Sequence, residues 1–132
     1  MAPSLSNVAQ KQPTTDEVVQ AFKDEGLDVG DSYNVEDDPK WGTGMVPKTM
    51  DSGTRFELPG YQQMNQQATG DVYHFATSED QETLSNYFDT VSKKSGLFYV
   101  HVYETDGYML KIDGAVPKST ADSFGEVLES AT

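Results

Sequence analysis

The chain contains two histidines, and each lies within a run of aromatic and β-branched residues. His74 is in the segment V-Y-H-F and His101 is in Y-V-H-V-Y, so both are predicted to lie on strands. On neighbouring strands the two imidazoles could meet and act, with carboxylates, as general bases or metal ligands. A zinc site needs a third ligand, and the sequence has no cysteine and no His-x-x-x-His spacing. We therefore favour a structural, half-buried His101, and keep a small enzyme that uses His74 and His101 as an alternative.

Other catalytic motifs are missing from the sequence. It has no Gly-x-Ser-x-Gly nucleophile elbow. The Gly42–Gly44 segment lacks the preceding strand and following helix of a phosphate-binding loop. The absence of cysteine excludes thiol nucleophiles and disulfides. Carboxylates are abundant, but no motif marks out a catalytic pair. We expect no enzymatic activity, no cofactor and no metal.

The chain is strongly acidic, with 22 Asp and Glu against nine Lys and Arg and a net charge of −13. This balance argues against nucleic acid or an anionic membrane as the partner, because both require basic residues. The densest run has seven acids within fifteen residues and no Lys or Arg between them: Asp24, Glu25, Asp28, Asp31, Glu36, Asp37 and Asp38. The EF-hand spacing is absent from this run. It is either a solvated surface or a docking surface for a basic protein partner, whose association would then depend on salt.

Two aromatic groups are further candidates for partner binding. Trp41 lies with Met45, Met50 and Met64 in the loop-rich part of the chain, where such side chains form either an adaptable binding surface or a plug at the edge of the core. Tyr99, His101 and Tyr103 alternate along one predicted strand and therefore share one face. An open face would make them a binding surface; we expect helices to cover it.

The hydrophobic pattern predicts an α+β fold with the order α-β-β-β-α-β-β-α. Thr14 and Glu17 have the spacing of a capping box, and Gly26 can close the helix that they begin. Ser78 with Gln81, and Ser119 with Asp122, predict the starts of two later helices. A strand is expected near Asp31–Val35, another is expected to end at Pro59, and the glutamine-rich segment after it is expected to be a loop or hairpin tip. We predict an antiparallel sheet of four to five strands, with two to three helices mainly on one face.

The last two strands are predicted to form a hairpin around Asp106-Gly107, a pair that tolerates the positive φ of a tight turn. A two-residue loop pairs residues whose numbers sum to 213. This register sets His101 opposite Ile112 and Tyr103 opposite Leu110.

A chain of 132 residues fits one domain. The polar, aperiodic residues 1–13 are predicted to be a flexible leader, followed by a single α+β domain over residues 14–132. No apolar run approaches the length of a membrane-spanning helix.

The segments D-E-V-V-Q-A-F-K-D-E-G (16–26), F-A-T-S-E-D-Q-E (75–82), the aromatic hairpin and I-D-G (112–114) carry a resemblance. Over about residues 16–128 the chain resembles a group of small extracytoplasmic lipoproteins of Gram-positive bacteria and their mobile elements. This resemblance implies no enzymatic activity, and it implies a lipid-modified cysteine after a signal peptide, to which the leader would tether the domain.

These observations favour a non-enzymatic binding domain, the soluble part of a cell-surface lipoprotein, that is located outside the cytoplasm and touches the membrane only through an N-terminal lipid anchor. The alternative is an intracellular, cytoplasmic acidic protein, of a bacterium or of a phage, that inhibits a basic or nucleic-acid-binding protein by mimicry.

Overall fold

A computed structural model of the protein describes residues 12–38, 47–94 and 99–132. The elements follow the predicted order: α1 (Thr15–Asp24), β1 (Ser32–Asn34), β2 (Ser52–Gln63), β3 (Gln66–His74), α2 (Ser78–Lys94), β4 (Val100–Thr105), β5 (Tyr108–Asp113) and α3 (Lys118–Ala131). A short 3-10 helix, Val35–Asp37, follows β1. Among the described helices, none has the length and apolar character needed to cross a membrane.

The five strands form one antiparallel sheet in the order β1-β2-β3-β5-β4. Helices α1 and α3 pack on one face, where the rings of Phe22, Phe56 and Phe124 lie 5.1–5.8 Å apart. Helix α2 packs Leu84 and Phe88 on the other face. The predicted α+β fold, with most helices on one face, is confirmed.

Local signals place α1 as predicted. Glu17 N–H donates to Thr14 Oγ1 (3.1 Å) and Thr14 N–H donates to Glu17 Oε1 (2.8 Å), which completes the capping box. At the other end Gly26 has φ 86°. Gly26 N–H donates to Lys23 O and Leu27 N–H donates to Phe22 O, the two bonds of a Schellman motif. Both ends of α1 are therefore fixed by residues within the segment.

The β4–β5 hairpin has the predicted register. His101 pairs with Ile112, Tyr103 pairs with Leu110, and Thr105 pairs with Tyr108 across the turn. Gly107 supplies the positive φ of this turn, at 91°. The prediction that helices cover the His101 face is confirmed only in part: His101 is 7% exposed and Tyr103 lies against Gly125 of α3, but Tyr99 is 43% exposed.

The β2–β3 hairpin corrects the prediction that a strand ends at Pro59. Strand β2 continues to Gln63, with a shift of register between Glu57 and Gln62. Because the ladder is interrupted there, a residue without an N–H is tolerated at Pro59. The hairpin tip is the pair Met64-Asn65, with φ of 52° and 66°.

The predicted start of α2 is wrong by one residue and that of α3 is wrong by two. Thr77 caps α2, since Asp80 N–H donates to Thr77 Oγ1 at 3.1 Å. The Gln81 side chain does not cap α2 but bonds to the β4–β5 turn. It donates to the carbonyls of Thr105 and Tyr108 and accepts from Gly107 N–H at 3.0 Å. Helix α3 begins at Lys118 after Pro117, with no side-chain cap bond. Proline already has the φ that starts a helix, so Ser119 lies inside α3.

Candidate functional site

The acidic run of the sequence curves around one edge of the sheet. Asp24 and Glu25 end α1 on one face, β1 is the outermost strand, and the 3-10 helix places Val35 in the core of the other face. We call its six exposed members the acidic edge: Asp24, Glu25, Asp28, Asp31, Glu36 and Asp37. Residues that are merely close in sequence thus become a band that joins the two faces of the domain.

Backbone bonds fix this band to the sheet. Gly30 N–H donates to Glu57 O and Glu57 N–H donates to Asp31 O, both at 2.9 Å. Gly30 leaves little room for a side chain, because an added Cβ would lie 3.1 Å from Glu57 Cβ and 3.3 Å from Pro59 Cγ. Asn34 Oδ1 then accepts from Glu36 N–H at 2.9 Å and starts the 3-10 helix. The carboxylates of the acidic edge are therefore held on a rigid backbone.

The carboxylates of the acidic edge have their charges free for a partner. In the part of the chain that the structure describes, none of the six is in an ion pair. Asp24 accepts only a neutral bond, from Gln20 Nε2 at 3.0 Å. Asp24 and Glu25 also lie at the C-terminal end of α1, where the helix dipole is unfavourable for negative charge. The helix dipole therefore does not account for acidic residues at these two positions.

Asp38, the seventh acid of the run, has a different role. Its Oδ2 accepts from Arg55 Nη1 at 2.5 Å. Arg55 also holds Asp71, with Nε–Oδ1 at 2.7 Å and Nη2–Oδ2 at 2.8 Å. Asp71 is completely buried, and Tyr73 Oη donates to its Oδ2 at 2.5 Å. Asp38 thus belongs to a structural network on the α2 face of the sheet.

Lys111 extends the network across β5. Its Nζ lies 3.7 Å from Asp71 Oδ2 and 3.6 Å from Asp113 Oδ1. Asp113 Oδ2 in turn accepts from Thr69 N–H at 2.8 Å. Each charge in this network therefore faces an opposite charge or a hydrogen-bond donor, as buried ions require.

The network shifts the pKa values of its members. Burial raises the pKa of Asp71, but the charges of Lys111 and Arg55 and the hydrogen bond from Arg55 lower it by more. The pKa of Asp71 therefore lies below its usual value. Burial alone lowers the pKa of Arg55, and the hydrogen bond and charge of Asp71 raise it above its usual value. Burial, and then Asp71, raise the pKa of Tyr73 well above its usual value. All three groups thus keep the protonation state that the network needs.

Helices α1 and α3 enclose a groove of about 460 Å³ next to the acidic edge. Its floor is formed by half-buried small and apolar side chains: Ala21, Leu27, Ser123, Val127 and Ala131. Its rim carries the exposed side chains of Glu25, Glu126 and Ser130. Glu25 therefore belongs both to the acidic edge and to the rim. The groove could not be predicted from the sequence, because the contact between α1 and α3 is not a local feature.

The tyrosines around His101 are mostly occupied by internal contacts. His101 Nε2 lies 2.6 Å from Val116 O. Tyr103 Oη donates to Asp122 Oδ1 at 2.6 Å. The Tyr103 ring packs directly against Gly125 of α3, where an added Cβ would lie only 2.5 Å from Tyr103 Cδ1. Burial, and then Asp122, raise the pKa of Tyr103. Tyr99 is 43% exposed and its ring meets that of His101 edge-on at 5.1 Å. Of these three residues, Tyr99 alone offers a sizeable free surface.

The structure separates the two histidines. His101 pairs with Ile112 and Ile112 pairs with Gly70, whereas His74 lies four residues further along β3. At about 3.4 Å per residue and about 4.8 Å per strand, the two side chains are roughly 17 Å apart. A shared active site or metal site is therefore wrong for this pair, and no cluster of three or more potential metal ligands occurs within residues 12–38, 47–94 and 99–132.

His74 has its own partners at the start of the domain. Its Nδ1 lies 2.8 Å from Asp51 Oδ1, and its Nε2 lies 3.3 Å from Gln12 Oε1. Its ring contacts Tyr108, whose hydroxyl donates to Pro13 O at 2.7 Å. These contacts fasten the end of the predicted leader to the sheet.

Trp41 and Met45 lie outside the described residues. Of the other methionines in that group, Met50 packs against the α2-face core and Met64 is exposed at the β2–β3 tip. The structure thus does not gather the methionines that it describes into one surface.

No known protein family, curated protein or solved structure matches the chain. The acidic edge, the groove and the buried network are therefore the observations from which a function can be inferred.

Proposed function

We propose that the chain is a non-enzymatic protein-binding domain whose acidic edge contacts the basic surface of a protein partner. The observation that carries this proposal is the arrangement of the carboxylates. Six exposed acids occupy one edge of the sheet, and in the described chain they have no basic partner of their own. Some acids elsewhere are paired within one helix, as Asp89 is with Lys93 and Asp122 is with Lys118, and the unpaired ones are not gathered in one run of the chain.

Such a band suits recognition by charge. A rigid group of like charges steers an oppositely charged protein to one side of the domain and raises the rate of encounter. Salt screens the charges at such a contact, so the association should weaken as the salt concentration increases. The Debye length falls from about 10 Å at 0.1 M salt to about 3 Å at 1 M. The net charge of −13 repels other acidic molecules, which favours basic partners.

Two variants with equal net charge test whether the position of the carboxylates matters. The edge variant converts four acids of the acidic edge to amides: Asp28→Asn, Asp31→Asn, Glu36→Gln and Asp37→Asn. The control variant converts four exposed acids elsewhere: Glu79→Gln, Glu82→Gln, Asp89→Asn and Asp106→Asn. Each variant removes four of the thirteen net negative charges, so its net charge is −9.

The immobilised proteins are exposed to envelope and cytosolic extracts at low and high salt, and captured proteins are identified by mass spectrometry. We expect basic proteins to be captured by the native chain and the control variant, and to be lost with the edge variant or at high salt. Equal capture by all three proteins, or capture that is insensitive to salt, would refute the proposal.

We further propose that the domain acts outside the cytoplasm on an N-terminal lipid anchor. The resemblance to extracytoplasmic lipoproteins supports this location. Sequencing the reading frame upstream of Met1 tests it. A signal sequence that ends in a cysteine is expected, and a native start at Met1 without one would refute it.

A further inference from the structure

We infer that the groove between α1 and α3 binds an apolar side chain of the basic partner, while Lys or Arg residues beside that side chain pair with Glu25 and Glu126. This inference rests on the proposed function and names its contact site. The two helices meet through Phe22 and Phe124, and beside this contact the small side chains of Ala21 and Ala131 leave the groove open. Its volume, about 460 Å³, lies in the range of about 300–1,000 Å³ that is typical of binding pockets.

The floor and the rim of the groove require different chemistry from the partner. Leu27 and Val127 are half-buried and pack against the α1/α3 core, so the groove exposes apolar surface that a partner's side chain can cover. Glu25 and Glu126 are exposed on the rim. A Lys or Arg beside that apolar side chain can keep its charged end near a rim carboxylate.

Charge decides between possible occupants. A second copy of the chain carries the same net charge of −13, so bringing it onto Glu25 and Glu126 would place like charges together. A basic segment instead neutralises the rim and continues onto the acidic edge, because Glu25 belongs to both. The groove would supply specificity through shape, and the acidic edge would supply attraction over a longer range.

Two pairs of variants test the groove. Ala131→Phe fills it from the last residue of α3, and Ser119→Phe adds the same ring to an exposed position of that helix outside the groove. Glu126→Lys reverses a rim charge, and Glu129→Lys reverses an exposed charge of α3 that does not line the groove. Circular dichroism verifies that each variant is folded. The second pair keeps the test decisive if the added ring at position 131 prevents folding.

The probe is a phage-displayed library of short random peptides, followed by fluorescence titration of the selected sequences. We expect enrichment of peptides in which an apolar residue is flanked by Lys or Arg. Ala131→Phe and Glu126→Lys should each weaken these peptides about tenfold or more, whereas their controls should not. Replacing the apolar residue of the peptide by alanine should have a similar effect.

Two results would overturn the inference in distinguishable ways. If the selected peptides are basic but bind Ala131→Phe and Glu126→Lys as tightly as the native chain, while the edge variant loses them, the groove is not the site and the proposed function stands. If no basic peptide is enriched, both the groove and the proposed function fail.

Discussion

Replacing the buried carboxylate Asp71 by asparagine should greatly destabilise the domain. Asp71→Asn keeps the shape of the side chain but removes the charge that holds Arg55 through two bonds, at 2.7 and 2.8 Å. Arg55 retains only Asp38, and Lys111 retains only Asp113 within the network. Removing one partner from a buried ion pair costs about 3–5 kcal/mol, because the other charge stays buried without compensation.

This loss is large compared with the stability of the whole domain. At about 0.05–0.15 kcal/mol per residue, 132 residues give a total of about 7–20 kcal/mol. An unfolding entropy of about 2.1 cal/mol/K per residue corresponds to about 0.28 kcal/mol/K for this chain. The melting temperature should therefore fall by about 11–18 °C, measured by circular dichroism at neutral pH.

Acid should reveal the same interaction. The pKa of Asp71 is lower in the folded state than in the unfolded state, where it is about 3.9. Its contribution is therefore complete above about pH 4 and is lost as the pH falls through the lowered, folded-state pKa. Urea titrations over the acid range should show that Asp71→Asn removes part of the acid-induced loss of stability that the native chain shows.

Matched variants define what would refute this reasoning. Asp89→Asn removes the exposed i,i+4 pair with Lys93 and should cost less than about 0.5 kcal/mol. The double variant Arg55→Met/Asp71→Asn should be destabilised by less than the sum of its single variants, because neither charge is then left alone. A fall of less than 3 °C for Asp71→Asn, or additive single effects, would show that the network does not stabilise the fold as argued.

Two further predictions concern single side chains. Glu25→Gln should raise the melting temperature by about 1–4 °C, since it removes a charge worth about 0.3–1 kcal/mol from the C-terminal end of the α1 dipole. Glu79→Gln, in the first turn of α2, should lower the melting temperature. A change of the same sign in both variants would contradict the effect of the dipole. Gln81→Ala should lower the free energy of unfolding in urea by about 1–3 kcal/mol, because it removes the side-chain bonds that hold the β4–β5 turn. Glu82→Ala, at the exposed neighbouring position, is the control. Equal effects of the two variants would mean that these bonds contribute nothing.

Features that depend on neighbouring residues could be predicted from the sequence. The capping box at Thr14 and the closure at Gly26 involve partners within five residues, so composition and spacing suffice to place α1. The register around Asp106-Gly107 follows from the length of the turn alone. The extension of β2 past Pro59 could not be read in this way, because it depends on pairing with β3 across a register shift.

The charged network illustrates why the rest could not be predicted. Arg55, Asp71 and Lys111 come from three strands, and they meet only once the order β2-β3-β5 and both registers are known. In the sequence the three are isolated charges within strand-like segments. The available signal was the apolar residue next to each charge, Phe56, Val72 and Leu110, since a charge beside buried positions of a strand indicates a paired charge.

The acidic run shows how structure divides residues that the sequence presents as equivalent. Counting predicts seven acids with one role, but Asp38 is drawn inward by Arg55 while six neighbours remain exposed. Under the proposed function the six contribute to recognition and Asp38 does not, because a carboxylate already paired with a buried arginine gains little from a second cation. Neutralising Asp38 should therefore affect the fold, whereas neutralising Asp31 or Asp37 should affect binding. Under the proposed function, the unfavourable charges at the end of α1 are accounted for as well, because selection for binding can retain charges that selection for stability alone would remove.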